Sequence, residues 1–283
     1  RDNLSPYLAP YEDIPGHESD DPFVKLDWSN DEVYSKILKT MNERMVPGDV
    51  PLNLNATSLI TNAYLYTGDD KYKQWVLDYI QVWMDRTEAN GGIIPDNVGP
   101  TGKIGELMNG NWWGGYYGWR WPHGGWVMLE AMCNAGCNAT LLTGDTSWLD
   151  LFRSQADRLW EMRREENGQI MIPNKHGAKG WFEFIPHASS QTLRLLMHAY
   201  AVGRKQEDMD RIEEQYGDRP LPENKPLPGC GKAGSFTIHE WFEYTVGRNP
   251  KFPERALEIT YAEMSRRLDR IESETVDWTT WND

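Results

Sequence analysis

Apolar residues along this chain return every three or four positions, the spacing of one face of an α-helix, and alternating strand-like runs are scarce. The pattern predicts nine helices. They fall at about Asn30–Glu43, Ala56–Tyr66, Lys71–Arg86, Gly125–Leu142, Ser147–Glu165, Ser189–Val202, a seventh ending near Tyr216, Thr237–Val246 and Pro253–Ile271. Ser29, with Glu32 three residues on, has the form of a capping box at the first of them. Trp75, Val76, Tyr79, Ile80 and Trp83 make one apolar face of the third. Four tight turns join helices in pairs: Thr67-Gly68-Asp69-Asp70, Thr143-Gly144-Asp145-Thr146, Val202-Gly203-Arg204-Lys205 and Val246-Gly247-Arg248-Asn249. Each has glycine where a helix is expected to stop. The fourth helix is rich in small residues (Ala131, Ala135, Gly136, Ala139) while its partners are amphipathic and charged, the pattern of stacked helical hairpins.

Alternating the helices up and down places the glycine turns at one end. The long connections, about 45–54, 87–124, 166–188 and 217–236, then share the other end. Long connections in a compact domain usually serve a function. One of them opens Asn90-Gly91-Gly92-Ile93-Ile94-Pro95-Asp96, and the chemistry recurs after the fifth helix as Asn167-Gly168-Gln169-Ile170-Met171-Ile172-Pro173-Asn174. The expected fold is therefore all-α, an α/α toroid with its long loops on one face. Residues 29–283 form it, behind an irregular segment 1–28; 283 residues suit one large domain.

Composition narrows the partners. A formal charge of -14 with no basic stripe excludes nucleic acid and anionic lipid, which bind through Lys and Arg clusters. With a mean hydropathy of -0.68, no apolar run approaches the ~20 residues of a bilayer span. Cys133, Cys137 and Cys230 make neither a disulfide framework nor a zinc spacing, and no cofactor or metal is expected. The opening Arg1-Asp2-Asn3-Leu4-Ser5 lacks the basic start and apolar core of a secretion signal. It reads as the inside of a longer protein whose leader has been removed, so a periplasmic or extracellular location is expected. Diphosphate-binding DxDD or DDxxD motifs are absent, and Asp69-Asp70 belongs to the glycine-turn end, which argues against an isoprenoid-type toroid enzyme.

The chain has 14 Trp and 13 Tyr. Their densest run is Asn111-Trp112-Trp113-Gly114-Gly115-Tyr116-Tyr117-Gly118-Trp119-Arg120-Trp121, inside the second long connection. Aromatics interleaved with glycine make no amphipathic helix, but they offer flat apolar partners to the C–H faces of sugar rings. The alternative is an aromatic plug. Asn111, Trp112, Trp113, Tyr116, Tyr117, Trp119, Arg120, Trp121 and Trp181 are the candidate binding residues. Glycoside hydrolysis needs two carboxyl groups roughly 5–9.5 Å apart. Asp96 and Glu183, each after an equivalent hairpin and flanked by apolar residues, are the preferred pair, with Glu106 as substitute. His123 and His187 each close a long insert just before a helix and are candidate acid–base groups. His198 lies within a helix and reads as a packing residue.

Paired antiparallel hairpins elaborated at one end resemble the six-hairpin glycosidase and polysaccharide lyase superfamily over about residues 29–271. Nine helices make four and a half of its six hairpins. The resemblance implies a barrel with a substrate funnel. Asn111-Trp112-Trp113 also looks like the Asn-Trp-Trp of toroid-type chondroitin and hyaluronate lyases, in which the asparagine helps neutralise a substrate carboxylate. Here Gly114-Gly115-Tyr116-Tyr117 replaces the acidic and glycine residues that follow in that family. The expected activity is cleavage of glycosidic bonds in an oligo- or polysaccharide by paired carboxylates. β-Elimination of a uronic acid polymer, using Asn111, Arg120, His123, His187 and Tyr117, and a non-catalytic sugar-binding toroid stay open beside it.

Overall fold

The computed structural model describes residues 27, 29–187, 191–216 and 238–273. The expected leader 1–28 lies outside them apart from Asp27. So do the connection 217–236, with Cys230 and Lys232, and the tail past Ser273. The chain divides into two compact units, 1–204 and 205–283.

In the first unit, α1 (Asp31–Arg44) is capped by Asn30, whose side chain accepts from the N–H groups of Glu32 and Val33. Ser29, the expected cap, instead bonds Asp27. Helices α2 (Ala56–Thr67) and α3 (Asp70–Ala89) meet at Gly68, left-handed at φ 66°, whose N–H closes on Tyr64 O. Asp69 then caps α3. The same device recurs between α4 (Trp126–Thr143) and the 3-10 turn Thr146–Leu149 that leads into α5 (Asp150–Glu161), with Gly144 left-handed and Asp145 capping. α6 (Thr192–Gly203) ends differently: Gly203 is still helical and Arg204 takes the left-handed conformation. α4 carries the core. It packs against α2, α3, α5 and α6 and buries Met128, Leu129, Met132 and Ala135.

The all-α toroid is overturned by the segment read as the third long connection. Residues 164–186 form a three-stranded antiparallel sheet in the order β1 (Arg164–Glu166), β2 (Gln169–Gly177), β3 (Gly180–Pro186), so the chain is mixed α/β. The fifth helix stops at Glu161, short of the expected Glu165. Asn167 and Gly168, at φ 51° and 73°, make the two-residue turn whose twist suits a hairpin. Pro173 and irregular register between Pro173 and His176 hide the strand period.

Three long connections of this unit meet. Asp49 and Val98 exchange backbone hydrogen bonds at 2.8 and 2.9 Å, His176 N donates to Trp119 O, and Gly125 N donates to Asn174 O. Asp49 also accepts from Asn53, Tyr79 and Arg86, which fastens the first connection to α3. Gln155 of α5, fully buried, accepts from Ile94 N and donates to Gly92 O, fixing the start of the second. The second unit contains α7 (Gln206–Tyr216), α8 (Ile238–Thr245) and α9 (Phe252–Glu272), with α8 and α9 joined by the ring pair Tyr244–Phe252 at 5.8 Å and an ion pair of Glu240 with Arg255. Among the described residues no helix is long and apolar enough to cross a membrane.

Gln155→Ala removes the partners of two buried backbone groups. A loss of about 3 kcal/mol is expected, read as a lower urea midpoint at unchanged slope.

Candidate functional site

The site is built around the carboxylate of Asp96, which is fully buried. Oδ2 accepts from Gly114 N at 2.9 Å and Trp119 N at 2.7 Å. Oδ1 accepts from Gly115 N at 2.8 Å and Asn97 Nδ2 at 3.1 Å. The aromatic segment thus wraps its backbone around one side chain. A Cβ at Gly115 or Gly118 would collide with Asp96, which is why glycine stands there. Burial pushes the Asp96 carboxyl up from its ordinary range, and the N–H donors pull the other way. Asp96 therefore does not face a funnel as expected of a reacting carboxylate; it holds the loop.

The latch sorts the aromatics. Trp119 is buried with Nε1 on Ile94 O, Arg120 is buried under the Phe182 ring, and Trp121 packs with Ile37, Met45 and Met108. These three expected binding residues form the floor. The surface is Trp112, Trp113 and Trp181, half-buried around His176 with ring centroids 4.6, 5.7 and 4.9 Å from the imidazole. Trp181 stands edge-on to Trp119 at 5.1 Å, so floor and surface are in direct contact. Tyr116, 39% exposed, lies edge-on to Tyr117. Tyr117 holds a left-handed φ of 54°, uncommon for a bulky side chain, and its ring is 5.5 Å from His123.

Polar groups gather beside this platform. Asn174, at the position equivalent to Asp96 in the repeated loop, is buried and donates from Nδ2 to Glu183 Oε1 at 2.6 Å and to His123 O at 3.2 Å. Lys175 pairs with Glu183 Oε2 at 3.0 Å across the β2–β3 hairpin. Burial, and then the Lys175 charge, hold the His123 imidazole below its ordinary value, so it is neutral at pH 7. Burial alone pulls His176 down to about 4, and its Nδ1 has no hydrogen-bond partner among the described residues.

Of the expected residues, the structure brings together Trp112, Trp113, Trp181, Tyr116, Tyr117, His123 and Glu183. Asn111 is exposed at the edge of the segment, with its carbonyl bonded by Asn97. Glu106 caps its own turn through Thr101 N and Oγ1. His187 is buried against Trp160 at 4.9 Å, away from the hairpin's polar pair. Asn174 is not among the candidates, and the sequence offers Lys175 and His176 only as polar groups of the same long connection, without an assigned role. Their signal was the repeated Ile-Pro-Asp and Ile-Pro-Asn, which puts position 174 level with Asp96. Among the described residues no group of three His, Cys, Asp or Glu is placed to hold a metal.

A family model described as Domain of unknown function (DUF8034) matches residues 1–172 and 161–283, together the whole chain. The chain belongs to the DUF8034 family. No curated protein and no solved structure matches it. For this member of DUF8034, the geometry above defines a rigid aromatic face edged by a carboxylate, an ammonium and a neutral imidazole.

Two outcomes test that description. Asp96→Asn would set an amide NH2 against backbone N–H donors. A loss of roughly 3–5 kcal/mol is expected, with the aromatic near-ultraviolet circular dichroism collapsing. For His176, the unfolded chain takes a proton near 6.5 that the folded chain refuses until about 4. Its contribution is complete above 6.5 and is lost as pH falls through that window. His176→Phe should therefore shrink the stability difference between pH 7.5 and pH 5 in paired thermal melts.

Proposed function

We propose that this face binds a carbohydrate chain against Trp112, Trp113, Trp181 and Tyr116 and cleaves its glycosidic bonds, with Glu183 as a reacting carboxylate. The observation that carries the reading is the half-buried tryptophan cluster seated on the Asp96 latch and bordered by Glu183, Lys175 and His123. Indole faces pack on the apolar side of sugar rings, and a surface fixed before the ligand arrives loses little entropy on binding. Glu183 is 28% exposed and is held between Asn174 and Lys175, so it is both accessible and oriented. Glycoside hydrolysis uses two carboxyl groups, and Glu183 has the two properties that one of them needs.

A second reading has its own observation. Tyr117 and the neutral His123 ring lie together at 5.5 Å, the kind of pair that removes and returns a proton in β-elimination of a uronate. That chemistry needs no second protein carboxylate, and Tyr117→Phe would then abolish turnover while leaving binding in place.

The deciding experiment incubates the full chain with neutral and uronate-containing polysaccharides, recording new reducing ends and the ultraviolet band of a 4,5-unsaturated uronate. Hydrolysis predicts reducing ends without the band, and a loss of about 10²–10⁴-fold in kcat for Glu183→Gln. The band transfers the reaction to Tyr117 and His123. If no polysaccharide is bound or cut, the carbohydrate reading falls.

A further inference from the structure

α4 buries most of its surface, yet one edge of it is polar. Trp126, Glu130, Asn134 and Asn138 recur every fourth residue on that edge, none of them fully buried. Its head joins the platform, because the Trp126 ring lies 5.8 Å from His123. From Trp126 to Asn134 the edge runs about 12 Å at the helical rise.

Neighbouring helices add polar groups on both flanks. From α6, Arg194 Nη2 sits 3.3 Å from Glu130 Oε2 and also bonds Gln191, one residue before the helix. Arg194 Nε is buried and has no hydrogen-bond partner among the described residues. A buried guanidinium donor left unmatched is costly, and the remainder of the Arg194 side chain, 22% exposed, is what a ligand could reach. From the α2 side, Asn134 Nδ2 donates to Asn55 Oδ1 at 3.0 Å, and Asn138 Nδ2 donates to Thr57 and Ser58 hydroxyls. The Asn134–Asn55 bond engages one amide NH2 and one carbonyl of the two each pair carries, leaving a donor and an acceptor side by side. Glu130 is 39% exposed and Asn134 more so.

We propose that the sugar-binding face continues from Trp126 along this edge of α4, with Glu130, Asn134 and Arg194 holding further sugar residues of the same chain. The inference rests on the carbohydrate reading and deepens it: the ligand is an oligosaccharide long enough to run from the tryptophan platform across α4, rather than a mono- or disaccharide. Closely set donors and acceptors behind an indole match a polyol, whose hydroxyls do both, better than an apolar or purely anionic ligand. Glu130 and Arg194 neutralise each other, so the strip recognises ring oxygens and hydroxyls without selecting for charge.

The test measures affinity by tryptophan fluorescence and calorimetry for disaccharides and hexasaccharides of β-1,4-glucan, β-1,4-xylan, β-1,4-mannan and α-1,4-galacturonan. The wild-type chain should bind one hexasaccharide series at least about tenfold more tightly than its disaccharide. Trp126→Ala, Asn134→Ala and Arg194→Gln should each reduce that gain by about fivefold or more, with circular dichroism confirming that each variant folds. If the wild type shows a length gain that all three variants retain, the strip is not a binding surface and the platform reading survives. If the wild type binds disaccharide and hexasaccharide equally, the extension alone is overturned. If it binds none of the series, both fall together.

Discussion

A carboxylate taken out of water is costly unless donors replace its hydration. At Asp96 those donors are backbone N–H groups of Gly114, Gly115 and Trp119, with the Asn97 amide. The arrangement works only if the segment 114–119 is already curled, and the segment curls only around the carboxylate. The two conditions are met together or not at all. Everything on the candidate face follows from this closure. It buries Trp119 and Arg120 as a floor, aims the Trp119 carbonyl at His176 N, and so seats the hairpin that carries Lys175, His176, Trp181 and Glu183.

The other end of the same segment is held by Asn174. Its carbonyl accepts from Gly125 N and its amide spans His123 O and Glu183. Asp96 and Asn174 occupy equivalent places in the two repeated loops, and both clamp one aromatic stretch from opposite ends. Their chemical difference matters. The carboxylate can only accept, which suits a curl of N–H groups; the amide also donates, which lets Asn174 reach a carbonyl and an acid at once. The repeat therefore builds a scaffold with one rigid clamp and one that touches Glu183.

Much of this was legible in the residues. The helical hairpins were, because the 3–4 period and the glycine stops are local signals, and Gly68 and Gly144 take the left-handed conformation those stops require. The sheet was not, although Asn167-Gly168 is a hairpin turn in plain view. Pro173 and the register irregularities break the alternation that would have identified β2. Which tryptophans face outward was also hidden: Trp112, Trp113, Trp119 and Trp121 differ in burial through a backbone curl that has no period. For the same reason Asp96 read as a reacting acid. Three of its four donors are backbone groups 18 to 23 residues further on, which leave no mark in a sequence.

Charge at the site bears on what kind of glycan the proposed function would call for. The chain is strongly acidic overall, with a formal charge of -14, yet the platform is locally balanced. Lys175 is matched by Glu183 and Arg194 by Glu130, while His123 and His176 are held neutral. At physiological ionic strength the distant surface charge is screened over roughly 8 Å, and close pairs act as dipoles. A polyanion arriving here would meet no uncompensated cation from these pairs and would have to break an ion pair to gain one. An uncharged sugar chain would meet indole faces and hydrogen-bonding groups already in place. Within the proposed carbohydrate reading, the electrostatics thus favour a neutral or weakly charged glycan, and with it hydrolysis over elimination, since elimination needs a carboxylate on the sugar.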